Sequence, residues 1–286
     1  MQYREFGDTG IRLSALCFGS MRLDPNRLSP SDAKTLVLHL LDRGVTTFHS
    51  SAEYETHAFF CKTLRAARID RRTEDIVHIS KIAVPHFEEP AFTGKRLREH
   101  VDAQLAELGA ERLDIVQWLI RSKPIEDGPR LKLLAECAAE LAVVWAELQR
   151  EGKVGALASF PYSASFAASS LRLPTCAGLV TYLNLIELEA VAWLDDMRQN
   201  GQGFVAIRPL AAGRIGPDRF SSMGIARNDL LRVALQFPLL HPAVASTVLS
   251  VSSIQHADAA LDALADSPTD VESFRRTVSE LRADAS

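Results

Sequence analysis

The sequence lacks the features that mark membrane, secreted and nucleic-acid-binding proteins. No apolar run approaches the ~20 residues of a membrane-spanning helix. The first six residues are polar and contain no apolar signal core, which favours a cytoplasmic location. With 32 Lys and Arg against 36 Asp and Glu, the net charge is −4, so the chain has no basic excess for binding nucleic acid.

Cysteine is scarce as well. The chain has four, at Cys17, Cys61, Cys137 and Cys176, and none of them forms a Cys-x-x-Cys pair. This spacing argues against a zinc ribbon and against a disulfide framework. We therefore predict free, buried thiols and no metal site.

What the sequence does contain is an alternation of strand-like and helix-like segments along its whole length. A short hairpin comes first, with strands at Tyr3–Phe6 and Ile11–Leu13. Eight apolar, strand-like runs follow, at Ala15–Phe18, Thr46–His49, Ile76–Lys81, Ile115–Leu119, Val154–Ala158, Leu179–Leu183, Phe204–Ile207 and Ser246–Leu249.

Helical patterns separate these runs. The first helix has a capping serine at Ser29, Pro30 at its first position and an apolar face that begins at Leu36. Eight strands that alternate with helices predict an α/β fold, a (β/α)8 TIM barrel with an N-terminal β-hairpin, as one domain over residues 1–286. A doubly wound sheet is the alternative, but no Gly-x-Gly-x-x-Gly follows an early strand.

The functional side chains of such a barrel lie at the carboxyl ends of its strands. The segments at those ends are Phe18–Arg22, His49–Ser51 with Tyr54, Ser80–Lys81, Arg121–Pro124 and Arg208–Arg214. They are polar and partly basic, so we expect the functional site to be built from them.

The chain resembles the aldo-keto reductase family over nearly its whole length. The matching blocks are Gly7–Ser14, Phe18–Met21, Gly44–Phe48 with Tyr54, Leu113–Val116 through Pro124, Gly152–Val154 and Arg208–Ala211. The resemblance implies a barrel enzyme that reduces carbonyl groups by hydride transfer from NADPH. It therefore implies a small-molecule substrate.

The family's catalytic group has four members: a Tyr that donates a proton, a Lys that lowers its pKa, an Asp that pairs with the Lys, and a His that orients the carbonyl. By position, the resemblance assigns the Tyr to Tyr54 and the Lys to Lys81. His49 occupies the Asp position and Ser122 occupies the His position. Two of the four groups are thus replaced by chemically different side chains.

These replacements change the expected electrostatics. Lys81 loses its carboxylate partner, so we expect it to lower the pKa of Tyr54 more strongly than in the family. A protonated His49 would repel Lys81, and a neutral, structurally bonded His49 is the alternative. Ser122 is a shorter donor than His, and a register slip of one residue would turn Arg121 inward in its place.

The family's contacts to the nicotinamide ring are mostly absent. Their positions hold Phe160, Pro161, Tyr182 and Ile207. The residues that remain as candidate cofactor contacts are Gly19, Ser20, Met21, Tyr182, Arg208 and Leu210. NADP(H) is therefore a possible cofactor, but one whose usual binding groups are largely missing.

The adenosine end of the cofactor site is altered too. No Lys or Arg occurs between Val233 and Phe274, and Ala260 stands at the position of the family's adenine-binding Asn. Asp258 and Asp262 lie in the same stretch. We expect these carboxylates to repel a 2′-phosphate.

This altered site supports three hypotheses. The first is an enzyme that uses Tyr54 and Lys81, with His49, as acid and base on a small anionic carbonyl-type substrate, without hydride transfer. The second is an NADP(H)-dependent carbonyl reductase with an unusual mode of cofactor binding. The third is a non-catalytic barrel that acts as a binding or regulatory protein. The sequence favours the first slightly over the second and does not indicate an oligomeric state.

Overall fold

The computed structural model describes residues 1–70, 76–87, 89, 91–121, 126–216, 227–265, 276 and 279. At its centre, eight parallel strands close into a barrel in which each strand pairs with the next along the chain and the last pairs with the first. A two-stranded antiparallel hairpin precedes the barrel. The predicted (β/α)8 TIM barrel with an N-terminal β-hairpin is confirmed.

Each apolar run of the sequence forms one barrel strand. The hairpin consists of β1 (Tyr3–Glu5) and β2 (Arg12–Ser14). The barrel consists of β3 (Leu16–Gly19), β4 (Thr47–Ser51), β5 (Val77–Ala83), β6 (Leu113–Leu119), β7 (Val154–Ser159), β8 (Cys176–Tyr182), β9 (Gly203–Ile207) and β10 (Val244–Leu249).

Helices connect the strands. They are α1 (Pro30–Asp42), α2 (His57–Asp70), α3 (Gly94–Leu108), α4 (Asp127–Arg150), α5 (Ala164–Leu171), α6 (Val191–Gln199), α7 (Arg227–Leu239) and α8 (Ile254–Ala265). Ser29 caps α1 as predicted, since its hydroxyl oxygen accepts a hydrogen bond from the backbone N–H of Asp32. Gly109 ends α3 in the left-handed conformation, which glycine adopts without steric cost.

The hairpin closes one end of the barrel. Phe6, Ile11 and Leu13 are buried and pack against side chains inside the barrel, including Ile79 and Ile115. The hairpin turn also lies against the segment before β9, where the backbone N–H of Asp8 donates to the carbonyl of Gly201 over 2.8 Å. The amino-terminal end of the strands is therefore sealed by apolar side chains, and the carboxyl end stays open.

The four cysteines are free and buried, as the sequence predicts. Burial raises the pKa of the Cys61 and Cys176 thiols to about 11, so both stay protonated at neutral pH. Within the described ranges, no helix combines the length and the apolar content that crossing a bilayer requires.

The hairpin packs so closely on the barrel that a methyl group at Gly203 would not fit. A Cβ atom at this position would lie 2.5 Å from Cδ2 of Phe6 and 2.6 Å from the backbone nitrogen of Gly7. Because two backbone segments would have to separate, we expect Gly203→Ala to lower the free energy of unfolding by about 3 kcal/mol. Urea denaturation followed by circular dichroism measures this change.

Gly128→Ala is the matched control. Gly128 lies in α4, and a Cβ atom there meets no other atom within 4 Å. This variant should be neutral or slightly more stable, because alanine favours the helix. Equal stability of Gly203→Ala and the wild type would contradict the close packing.

Candidate active site

A cavity of about 1120 Å³ opens at the carboxyl ends of the barrel strands. Three of the predicted catalytic side chains, His49, Tyr54 and Lys81, line it together. His49 and Lys81 lie on β4 and β5, and Tyr54 lies in the loop that follows β4. Ser122, the fourth predicted member, lies outside the described residues.

Lys81 has a carboxylate partner after all. Its Nζ lies 2.8 Å from Oε2 of Glu53, and the Lys81 side chain is only 14% exposed. The expectation that Lys81 lacks a counter-ion was therefore wrong. Glu53, which directly precedes Tyr54, supplies the negative charge that His49 cannot, because the loop after β4 turns its side chain toward the end of β5.

The same carboxylate holds Arg121. An NH2 nitrogen of Arg121 lies 2.9 Å from Oε2 of Glu53, and Nε2 of His86 lies 3.5 Å from Oε1. Gln117, Leu119 and Arg121 all line the cavity, as alternate residues of an extended strand do. Of the two registers considered from the sequence, the structure thus places Arg121 at the cavity.

Tyr54 has a raised pKa, where the sequence suggested a lowered one. Burial is the main cause, the charge of Glu53 and the neighbouring Tyr182 add to it, and Arg121 opposes it, so that the pKa rises to about 12. Lys81 lies over the face of the Tyr54 ring, with Nζ 5.4 Å from the ring centroid. Because Glu53 neutralises the lysine, the lysine does not lower the pKa of the Tyr54 phenol. Tyr54 therefore stays protonated at neutral pH.

His49 is neutral and firmly held. It is 4% exposed, and burial lowers its pKa to about 4, with a smaller effect from the positive charge of Lys81. Its Nε2 lies 2.8 Å from Oε1 of Gln117, whose Nε2 donates to the carbonyl of Val180 over 2.9 Å. This chain of bonds assigns the ring proton to Nε2 and leaves Nδ1 as the acceptor.

Aromatic rings line the cavity where the nicotinamide contacts would lie. Phe160 packs edge-on against Tyr182, with centroids 5.3 Å apart, and the guanidinium of Arg208 stands 4.5 Å from the Tyr182 centroid. Both side-chain amides nearby are already occupied: Gln117 by His49 and Val180, and Asn184 by a glutamate and backbone groups. A carboxamide would find no side-chain amide here, so the described residues do not fit the family's usual nicotinamide site.

The other candidate cofactor contacts are only partly at the cavity. Gly19, Met21, Tyr182, Arg208 and Leu210 line it. Ser20 does not, because its side chain is fully buried and its hydroxyl oxygen has no partner among the described residues. The assignment of Ser20 as a cofactor contact stays a prediction.

Asp258 and Asp262, which follow β10, would repel a 2′-phosphate less than the sequence suggests. Asp258 on α8 pairs with His39 of α1, at 2.8 Å, and with Arg43, which directly follows α1. Asp262 lies 3.4 Å from the same arginine. The Arg43 guanidinium thus compensates charges that the sequence presents as unbalanced.

Sequence reasoning missed four residues that belong to the site or its wall, and their signals in the sequence are weak or absent: Glu53, Gln117, Arg130 and Tyr162. Glu53 had the clearest one, since it stands four residues after the position that lost its carboxylate. The other three lie at places that depend on strand register and loop path.

Comparison with known proteins agrees with this barrel. The sequence model of the Aldo/keto reductase family matches residues 15–219. The holo form of aldo-keto reductase AKR11C1 from Bacillus halodurans is similar to this chain, with a TM-score of 0.78 and 20% identity over 98% of this chain and 96% of that one. The thermostable aldo-keto reductase Tm1743, solved with the inhibitor epalrestat, has a TM-score of 0.73 and 18% identity over 98% of this chain and 100% of that one.

The two kinds of comparison carry different weight. The solved structures share too little sequence with this chain to support more than the fold. The family match rests on sequence and spans most of the chain, from the first barrel strand to beyond the ninth strand of the protein. On that match, this protein belongs to the aldo/keto reductase family.

Proposed function

We propose that this protein is an enzyme that moves a proton on a small anionic carbonyl compound, with Tyr54, His49 and Lys81 as its acid–base group and without hydride transfer from NADP(H). Proton exchange or isomerisation next to a carbonyl is the reaction class. The main support for this proposal is that a protonated phenol and a neutral imidazole line one cavity whose charge is mostly positive.

The charge of the cavity favours an anionic ligand. Of the described residues that line it, five carry a basic side chain and two carry a carboxylate. The basic ones are Arg22, Lys81, Arg121, Arg130 and Arg208, and the acidic ones are Glu187 and Glu189. Glu53, which pairs with Lys81 and Arg121, offsets part of this positive charge, and the net charge of the site stays positive.

Tyr54 is suited to donate a hydrogen bond to the carbonyl oxygen. With its pKa raised to about 12, the hydroxyl keeps its proton at neutral pH. When a proton leaves the neighbouring carbon, negative charge develops on the carbonyl oxygen, and a positioned donor stabilises it. Lys81, with Nζ 5.4 Å from the centroid of the Tyr54 ring and 2.8 Å from Oε2 of Glu53, lies against the ring of this donor.

His49 is suited to accept the proton from carbon. Its ring is neutral, and its Nε2 is engaged by Gln117, so Nδ1 is the accepting atom. The centroids of the His49 and Tyr54 rings are 6.3 Å apart, so the two rings are neighbours, and both line the cavity that a small ligand would enter. An anionic substrate beside the imidazole would raise its pKa and strengthen it as a base. Return of the proton to carbon completes the cycle.

Members of the family normally bind NADP(H), which would supply a hydride if it were bound. In this chain Phe160 and Tyr182 face the nicotinamide position, and Gln117 and Asn184 are occupied by other partners. Losing several polar anchors at ~1–3 kcal/mol each weakens a dinucleotide by orders of magnitude. The proposed reaction therefore uses the protein's own acid and base.

The test is proton exchange with solvent. Protein freed of nucleotide is incubated in D2O with a panel of small 2-oxo acids, and NMR follows the hydrogen on the carbon beside the carbonyl. We expect Tyr54→Phe to slow exchange about 100-fold or more, because the oxyanion loses its donor.

Tyr3→Phe serves as the control, because the Tyr3 hydroxyl donates to the carbonyl of Gly44 and Tyr3 is not among the residues that line the cavity. This variant should exchange at the wild-type rate. Full activity of Tyr54→Phe would contradict the proposal. Saturable NADPH binding with hydride delivered to a carbonyl would instead support the reductase.

A second prediction concerns the neutrality of His49. Its pKa is about 4 in the folded protein against 6.5 in the unfolded chain, so the unfolded chain binds more protons between these values. The free energy of unfolding should therefore fall as the pH is lowered from 6.5 toward 4, by up to about 3 kcal/mol for this residue. His49→Asn should make this pH dependence shallower in urea denaturation.

The control for this prediction is His256→Gln. His256 is exposed on α8 and should leave the slope unchanged. His78 also has a pKa lowered to about 4, so part of the slope stays in His49→Asn. An identical slope in His49→Asn and the wild type would mean that His49 is not held neutral.

A further inference from the structure

One wall of the cavity carries basic and phenolic groups that the acid–base chemistry does not use. Arg121 stands beyond the end of β6, Arg130 lies on the first turn of α4, and Tyr162 lies in the loop after β7. All three line the cavity. They converge although they come from separate parts of the chain.

The three side chains are held in place by their neighbours. The guanidinium carbon of Arg130 lies 3.7 Å from the centroid of the Tyr162 ring, which is a close cation–π stack. The Tyr162 ring packs edge-on against Phe160 and Phe166, with centroids 5.4 and 5.5 Å away. This packing fixes the phenol, and the phenol in turn fixes the guanidinium above it.

Each of the three keeps a buried donor without a partner. Nε of Arg121, Nε of Arg130 and the hydroxyl of Tyr162 have no hydrogen-bond partner among the described residues. Buried polar groups are nearly always bonded in proteins, and an unbonded one costs about 1–3 kcal/mol. Three such donors on one wall favour a ligand that carries hydrogen-bond acceptors.

The wall is positively charged, so it favours an acceptor that is an anion. Arg121 is balanced by Glu53, at 2.9 Å, while Nε of Arg130 has no hydrogen-bond partner among the described residues. The carboxylate of Asp127, on the first turn of α4, accepts a hydrogen bond from the Ser163 hydroxyl over 2.6 Å. Burial and the charge of Glu53 raise the pKa of Tyr162 to about 12 against the opposing arginines, so the phenol acts as a donor.

We propose that Arg121, Arg130 and Tyr162 form a subsite for an oxyanion, a carboxylate or phosphate group of the ligand. Planar guanidinium groups match such groups by paired, charge-assisted hydrogen bonds, and the phenol adds a third direction. Assignment of this oxyanion to the substrate rests on the proposed function, and the subsite itself does not.

Isothermal titration calorimetry with two separate probes, succinate and inorganic phosphate, tests the subsite. We expect saturable binding of at least one of them, and the tighter probe identifies the source of the oxyanion. Arg130→Met should weaken binding about tenfold or more, because a charge-assisted donor is lost. Tyr162→Phe keeps the aromatic ring that stacks on Arg130 and removes only the hydroxyl. It should weaken probe binding several-fold and leave the protein folded.

Arg22→Met is the matched control, since Arg22 also lines the cavity but is exposed and lies beyond β3. It should change binding far less than Arg130→Met. Equal weakening by both variants would mean diffuse attraction by cavity charge and would overturn the subsite. Absence of saturable binding of both probes to the wild type would overturn it as well.

Tyr54→Phe separates this proposal from the proposed function. It should leave the binding of succinate and phosphate unchanged, because Tyr54 is not part of the subsite. Normal probe binding with normal proton exchange in Tyr54→Phe would refute the acid–base role alone. Loss of probe binding in Tyr54→Phe would refute the subsite as assigned.

Discussion

The pairing of Glu53 with Lys81 and Arg121 governs the electrostatics of the whole site. One carboxylate, 27% exposed, holds an ammonium at 2.8 Å and a guanidinium at 2.9 Å. Burial and the charge of this carboxylate keep the proton on the phenol next to it in the chain, and the imidazole across the cavity stays neutral because it is buried. A buried cation without such a partner would be costly, so the counter-ion is needed for stability as well as for chemistry.

The fold was predictable because its signal is repeated. Every strand contributes an apolar run of similar length, and caps such as Ser29 mark where helices begin. The site was predictable only where a residue type is itself distinctive, as with Tyr54 and Lys81. The Glu53 pairing depends on the path of a short loop, and the inward position of Arg121 depends on the exact end of β6. Neither is encoded in local periodicity.

The barrel and the chemistry at its mouth are separable. The chain keeps the barrel fold of its family, while Phe160 and Tyr182 pack edge-on against each other at the mouth of the barrel. Aromatic packing of this kind is stabilising in itself, so the site can lose polar anchors without weakening the fold. Family membership therefore sets the scaffold and leaves the reaction to the groups at the strand ends.

The sealed amino-terminal end of the barrel has a kinetic consequence. With Phe6, Ile11 and Leu13 filling that end, the interior offers no passage through the strands. A ligand therefore enters and departs by the same opening, and an incoming molecule waits until the previous one has gone. Exchange of one bound molecule for the next is therefore sequential, because it uses a single route.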